Sequence, residues 1–240
     1  MKLPQFSLRT LLLITAVVGA SAGLVMLRIK NSVKHLPLIE AADTGDFDAV
    51  KWQLDHGADV NGTDLLEIDT ALIHAAGRGH AEIAKYLVSR GADVNGGRER
   101  GRSALVLAIC NHHPELAKWL IEQGADVNLL DERGNSVLHY AAHYGTAKTT
   151  ELLLARGAAI DLQGVGGRTP LYNALCHRAS TGKDVSVAQV LLEHGADPNI
   201  GVTTDRAMGD DVRTPLEAAA HLKFPELEEL LRKHGAKPRE

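Results

Sequence analysis

Apolar positions from residue 36 onward recur in short bursts with helical spacing, separated by glycines at regular intervals. The stripe Ile83, Tyr86, Leu87 is repeated as Leu116, Trp119, Leu120 and as Val190, Leu191. Apolar residues at i, i+3 and i+4 mark one buried face of a helix. Each stripe follows a shorter segment with a small-residue core, such as Ala75-Ala76 or Ala141-Ala142, where helices must approach closely. A Ser or Thr opens that segment in Thr70-Ala71-Leu72, Ser103-Ala104-Leu105, Ser136-Val137-Leu138, Thr169-Pro170-Leu171 and Thr214-Pro215-Leu216. A hydroxyl at this place predicts an N-cap, and proline is tolerated in the first turn. Glycines such as Gly45, Gly79 and Gly145 divide the first helix from the second. A further glycine closes the second helix, where the left-handed backbone ends it at little cost.

That closing glycine heads a motif. Gly-Ala-Asp-Val-Asn begins at Gly57, Gly91 and Gly124, and variants begin at Gly157, Gly195 and Gly235, with spacings of 34, 33, 33, 38 and 40 residues. Two markers held in phase over six units define an internal repeat. The pattern predicts an all-α solenoid of about six helix pairs joined by extended finger loops. Leu36-Pro37-Leu38 opens the first unit, and the last carries Glu226, Glu228, Glu229, Arg232 and Lys233 on its second helix as a polar cap. Two units are longer. About six extra residues fall within His177–Val187, between or extending the helices, and the finger between Asn199 and Thr214 is seven residues longer than its counterpart from Asn128 to Ser136.

These residues resemble the ankyrin repeat, with its T-P-L-H-x-A, G-H and G-A-D-V-N elements. The nearest unit is Gly134 to Asp161, with Leu138-His139-Tyr140-Ala141-Ala142. The resemblance covers about residues 36–240. It implies stacked helix pairs, fingers projecting at one side, and recognition of a protein partner. Groove positions implied by the family lie five and six residues after the Leu of each opening marker. They hold Asp43, Gly77, Cys110, His143, Cys176 and His221, then Thr44, Arg78, Asn111, Tyr144, His177 and Leu222. The fingers add Glu99, Arg100, Arg102, Glu132, Arg133, Asn135 and Arg168. From these sets, the expected partner-binding residues are Arg78, Glu99, Arg100, Arg102, Asn111, Glu132, Arg133, Asn135, His143, Tyr144, Arg168 and His177.

Residues 1–35 read differently. Leu11 to Leu27 is uncharged and largely apolar, flanked by Arg9 and Arg28. Seventeen helical residues span about 26 Å, just short of a hydrocarbon core of about 30 Å. The segment reads as a single transmembrane helix. Ala20-Ser21-Ala22 also supplies a signal-peptidase pattern, which leaves a cleaved, secreted form as the alternative. The apolar run continues past Ala22 through Leu24, Val25, Met26 and Leu27, which favours the anchor. Phe6-Ser7-Leu8-Arg9-Thr10-Leu11-Leu12 resembles a bacterial N-terminal anchor of the F-S-L-R-T-L-L type. Gly19 and Gly23 form a G-x-x-x-G that would permit helix–helix association. Basic residues stand on both sides of the run, and the short leading tail leans the body towards export.

Composition narrows the chemistry. The 240 residues are 45% hydrophobic and 4% aromatic, which excludes collagen, a disordered chain and a polytopic membrane protein. Net charge is −4, but residues 1–30 carry four basic residues and no acid, leaving the remainder at −8. An acidic body gives no nucleic-acid signature. Two cysteines exclude a disulfide scaffold. Cys110 and Cys176 sit in the same column two repeats apart, too far for a bridge. Twelve histidines raise the alternative of a metal-dependent hydrolase. His139 and His143 are four apart, but Tyr140 stands where a zincin needs Glu, and His139 and His80 occupy positions of structural hydrogen bonding in the resembled family. No phosphate loop, nucleophile elbow or dinucleotide fingerprint is present. No enzymatic activity, metal or cofactor is expected.

Overall fold

The structure is a computed structural model that describes residues 37–64, 69–97, 102–181, 185–202 and 214–238, with the side chains of 176–181 outside that description. Twelve α-helices are found among these residues. They are α1 (37–44), α2 (Phe47–Asp55), α3 (Ala71–Arg78), α4 (Ala81–Ser89), α5 (Ala104–Cys110) and α6 (Pro114–Glu122). The series continues with α7 (Val137–Tyr144), α8 (Ala147–Ala155), α9 (Pro170–Thr181), α10 (Ser186–Glu193), α11 (Pro215–His221) and α12 (Pro225–Lys233). Odd helices form one layer, with α3, α5, α7, α9 and α11 each touching the next; even helices form the other, with α2 on α4, α6 on α8 and α8 on α10. The core between the layers is built from leucine and alanine. Leu72, Leu105, Leu138 and Leu171 are fully buried, as are Ala75, Ala76, Ala141 and Ala142.

Local chemistry starts and stops the helices where the sequence pattern places them. Thr70, Ser103 and Thr214 cap α3, α5 and α11 by accepting from the backbone N–H three residues on. Thr169 does the same for α9 at 3.3 Å. Every closing glycine has positive φ, from 82° at Gly157 to 94° at Gly91. The next residue completes a Schellman motif: Ala92 N–H donates to Leu87 O, and Ala125 N–H to Leu120 O, each at 3.0 Å. Ala92, Ala125, Ala158 and Ala196 are themselves buried, so Gly-Ala is one device: a left-handed turn followed by a small apolar plug.

The Asp and Asn of the motif join the repeats. Asp93 accepts from the backbone of Asn95 at 2.9 Å, which fixes the turn. Asn95 then bridges to the following loop, donating to Gly124 O at 3.1 Å and accepting from Asp126 N–H at 2.7 Å. Asn61, Asn128 and Asn199 make the same pair of bonds. The fourth repeat has Asp161 instead. It accepts from Asp197 N–H at 3.0 Å but has no amide to donate, and burial raises its pKa.

Some details differ from the sequence expectation. Of the two places expected for the extra residues of the fifth repeat, part of them extends α9 to 12 residues, and 182–184 lie outside the described residues. Gly145 is extended (φ −80°, ψ −168°), unlike Gly45 and Gly79. Thr146 follows it in place of the His that follows Gly79, and α8 is capped by that threonine. The fingers make single antiparallel bridges, Thr63 with Thr70 and Leu130 with Ser136, and no strand forms among the described residues. No described helix is long and apolar enough to cross a membrane. The run 11–27, with Gly19 and Gly23, lies outside the described residues, as does most of the long finger at 203–213.

Candidate functional site

The ends of the odd helices and the bases of the fingers bound a groove with two hollows. Repeats one to three enclose about 330 Å³ lined by Asp43, His74, Arg78, Arg102 and Asn111. Here three of the expected partner-binding residues meet, and the structure has already engaged each of them. Arg78 grips Asp43 through two bonds, Nε to Oδ1 at 2.8 Å and Nη2 to Oδ2 at 3.0 Å. His74 donates from Nδ1 to the same carboxylate at 3.0 Å. Arg78 and then His74 hold the Asp43 carboxyl down at about 2. Arg102 pairs with Asp69 at 3.0 Å, and Asn111 donates to Gly77 O at 2.9 Å. Asp69 is buried, and its Oδ1 has no hydrogen-bond partner among the described residues.

The second hollow, about 170 Å³, lies in repeats four and five between Asn135, Tyr140, His143, Tyr144, Val165 and Arg168. Its framework is rigid. His139, buried beneath it, accepts from Ser136 N–H at Nδ1 (3.0 Å) and donates from Nε2 to Arg168 O in the next repeat (2.9 Å). Burial lowers the His139 pKa, so the neutral ring is the native form. Tyr140 donates to Asp131 at 2.7 Å, and burial followed by that carboxylate pushes its phenol up. Burial works to raise Asp131, but bonds from Tyr140 and Asn135 outweigh it and hold the carboxylate ionised. The rings of His143 and Tyr144 meet edge to face at 4.3 Å. Val165 lines the same hollow; it and Leu130, on the preceding finger, are 46% and 47% exposed.

A family model described as Ankyrin repeats (3 copies) matches residues 38–131 and 123–202, well over half of the chain. The chain belongs to the ankyrin repeat family. No curated protein matches it significantly. The ankyrin framework accounts for the histidines that suggested chemistry. His139 caps α7 and ties repeat four to repeat five, and His80 donates to Asp43 O at 3.2 Å. The His80 and His113 rings also pack over Gly45 and Gly79. Among the described residues no group of three His, Cys, Asp or Glu could hold a metal ion.

The remaining expected residues are dispersed. Glu132 and Arg133 are exposed on the fourth finger, and Arg133 makes no ion pair among the described residues. Glu99 and Arg100 lie outside the described residues, and so does the His177 side chain. Cys110 is a free thiol, half-buried, and burial raises it to about 11; the Cys176 side chain is not described. Sequence reasoning missed the role of Asp43, His74 and Asp69, whose partners lie about one repeat away. It also missed Leu130 and Val165. A hydrophobic residue amid polar finger residues was the available signal for those two. A further hollow, about 830 Å³, is an open trough on the other layer, lined by residues of α6, α8 and the start of α10.

Proposed function

We propose that the array is a protein-binding module whose partner enters the groove over repeats four and five, and that residues 11–27 hold the chain in a membrane. In this reading residues 1–35 are anchor and linker and residues 36–240 the binding domain. The supporting observation is a column of side chains that changes at every repeat against a constant background. Asp43, Gly77, Cys110 and His143 occupy one groove position, and Thr44, Arg78, Asn111 and Tyr144 the next. Behind them Ala41, Ala42, Ala75, Ala76, Ala108, Ala141 and Ala142 are buried. Alanines set the close helix spacing, and the groove residues are released from that duty.

The pairing in the first hollow supports reading the second as the binding site. Arg78 and Arg102 already neutralise Asp43 and Asp69, and detaching Arg102 would strand a buried carboxylate. Exposed Arg133 and the apolar finger residues Leu130 and Val165 stand near Tyr144 on repeats four and five, and aromatic and Arg residues dominate binding energy at interfaces. A photoreactive residue placed at Tyr144 in the full chain should cross-link the bound protein, whereas the same residue at Glu151 on the outer layer should not. The reverse pattern would move the site to the outer trough. Fractionation tests the anchor: the full chain beginning at Met1 belongs with membranes, and a soluble chain beginning at Gly23 would establish the cleaved form.

A further inference from the structure

Each repeat after the first covers one residue at the same place on its second helix. Five residues ahead of the closing glycine stand Tyr86, Trp119, Leu152, Val190 and Leu230, all half-buried or buried. Tyr86 shows the contact: its ring lies 5.2 Å from Phe47 on α2. Arg90, four residues later, reaches back to Asp55 at 3.0 Å. The corresponding residue of the first repeat is Trp52. Among the described residues no repeat precedes it, and it is 56% exposed.

Its neighbours fit an end that faces outward. Ile83 and Leu87 are buried in the second repeat; their counterparts in the first are Ala49 and Gln53. His56 stands where Arg90 stands, and its ring stacks on Trp52 at 4.1 Å. Terminal repeats of a solenoid need a polar outer face, and α12 meets that need with exposed Glu226, Glu229, Arg232 and Lys233. Trp52 is the departure: a large exposed ring on a strip of α2 beside the small or polar Ala49, Gln53 and His56, with the exposed carboxylates Asp48 and Asp55 one turn to either side of it.

The chain itself indicates what meets this ring. Nine residues, 28–36, join the apolar run 11–27 to α1, and they carry Arg28, Lys30 and Lys34 with no acid. Fully extended they reach about 30 Å at most. Helices α1 and α2 fold back on each other through Gly45 and Asp46, so the half of α2 bearing Trp52 lies level with the start of α1, where this connector enters. Tryptophan is an amphipathic ring that settles at the headgroup level of bilayers, and basic connector residues are drawn to anionic headgroups. A second copy of the chain is a poorer occupant. The strip offers one large exposed apolar side chain, whereas a stable dimer needs about 800 Å² from each partner.

We propose that the first repeat rests end-on against the lipid surface, with Trp52 seated among the headgroups. This rests on the reading of residues 11–27 as a membrane anchor. The stack then rises from the bilayer by about 8–10 Å per repeat, and the groove opens sideways, away from the lipid.

The test uses the full chain carrying Trp119→Phe, which leaves Trp52 as its only tryptophan. It is reconstituted at pH 8 into phosphatidylcholine vesicles containing phosphatidylglycerol. Lipids brominated near the headgroup should remove most of the Trp52 emission, and aqueous iodide should have little effect. A chain that floats with the vesicles but keeps full emission beside brominated lipid, and is quenched by iodide, overturns the end-on contact and leaves the anchor standing. A chain that fails to float with the vesicles overturns both. A circular dichroism spectrum matching the parent confirms that Trp119→Phe has kept the fold; if it has not, Trp119→Tyr read at the red edge of excitation gives the same discrimination.

Discussion

Replacing His139 with leucine removes three polar contacts from the centre of the array, one to the Ser136 hydroxyl and two to backbone groups, while keeping most of the volume. The imidazole is 1% exposed. It accepts from Ser136 N–H at 3.0 Å and donates to Arg168 O at 2.9 Å. Leucine leaves both backbone groups without a partner. A buried group stranded in this way costs about 1–3 kcal/mol. Ser136 is fully buried and takes that penalty in full, whereas Arg168 is half-buried and recovers part of its bond from water. The expected loss is about 2–4 kcal/mol, read in urea as a lower midpoint with an unchanged slope. The pH dependence supplies a second signature. Burial depresses the folded-state pKa of His139 below its ordinary 6.5, so the neutral ring favours folding. That contribution is complete above pH 6.5 and disappears as pH falls through the folded-state value. His139→Leu lacks it, so the stability gap between parent and variant should narrow in acid. A loss within about 0.5 kcal/mol, the range of an ordinary surface change, would refute the reasoning. So would a gap that does not vary with pH.

Three further outcomes follow from the joints between repeats. Asp161→Asn should stabilise the array by about 0.5–1.5 kcal/mol at pH 7, because it restores the donor that Asn61, Asn95, Asn128 and Asn199 use; an unchanged thermal midpoint would count against the asparagine bridge. Gly79→Ala should cost well over the about 1 kcal/mol of a simple left-handed glycine replacement, since the new Cβ would lie 2.5 Å from the His113 ring. Gly91→Ala, with nothing within 4 Å, should cost only the backbone term, and equal losses in the two variants would disprove the contact. Cys110, raised to about 11, should react with iodoacetamide at pH 8 far more slowly in the native chain than in urea, and equal rates would show that the thiol is not buried.

The repeat, its helix pairs and its stops are determined by local chemistry, and local chemistry is legible in order along the chain. A hydroxyl before Leu72 or Leu216 caps a helix whatever surrounds it, and a glycine at Gly91 or Gly124 enters the left-handed region because no side chain opposes it. Six such units in phase leave one way to bury their leucines, which is to stack. The sequence alone therefore determined the ankyrin architecture and the column of residues facing the groove. Which members of that column are free was decided by the stacking. Arg78 and Arg102 read as exposed cations, yet Asp43 lies 35 residues from the first, and Asp69 meets the second across a finger. The asparagine bridges span 29 to 38 residues for the same reason, joining each turn to the next one in the stack. Trp52 shows the converse. By pattern it is one more stripe residue, equivalent to Tyr86 and Trp119, and its place in the first of the described repeats leaves the ring exposed.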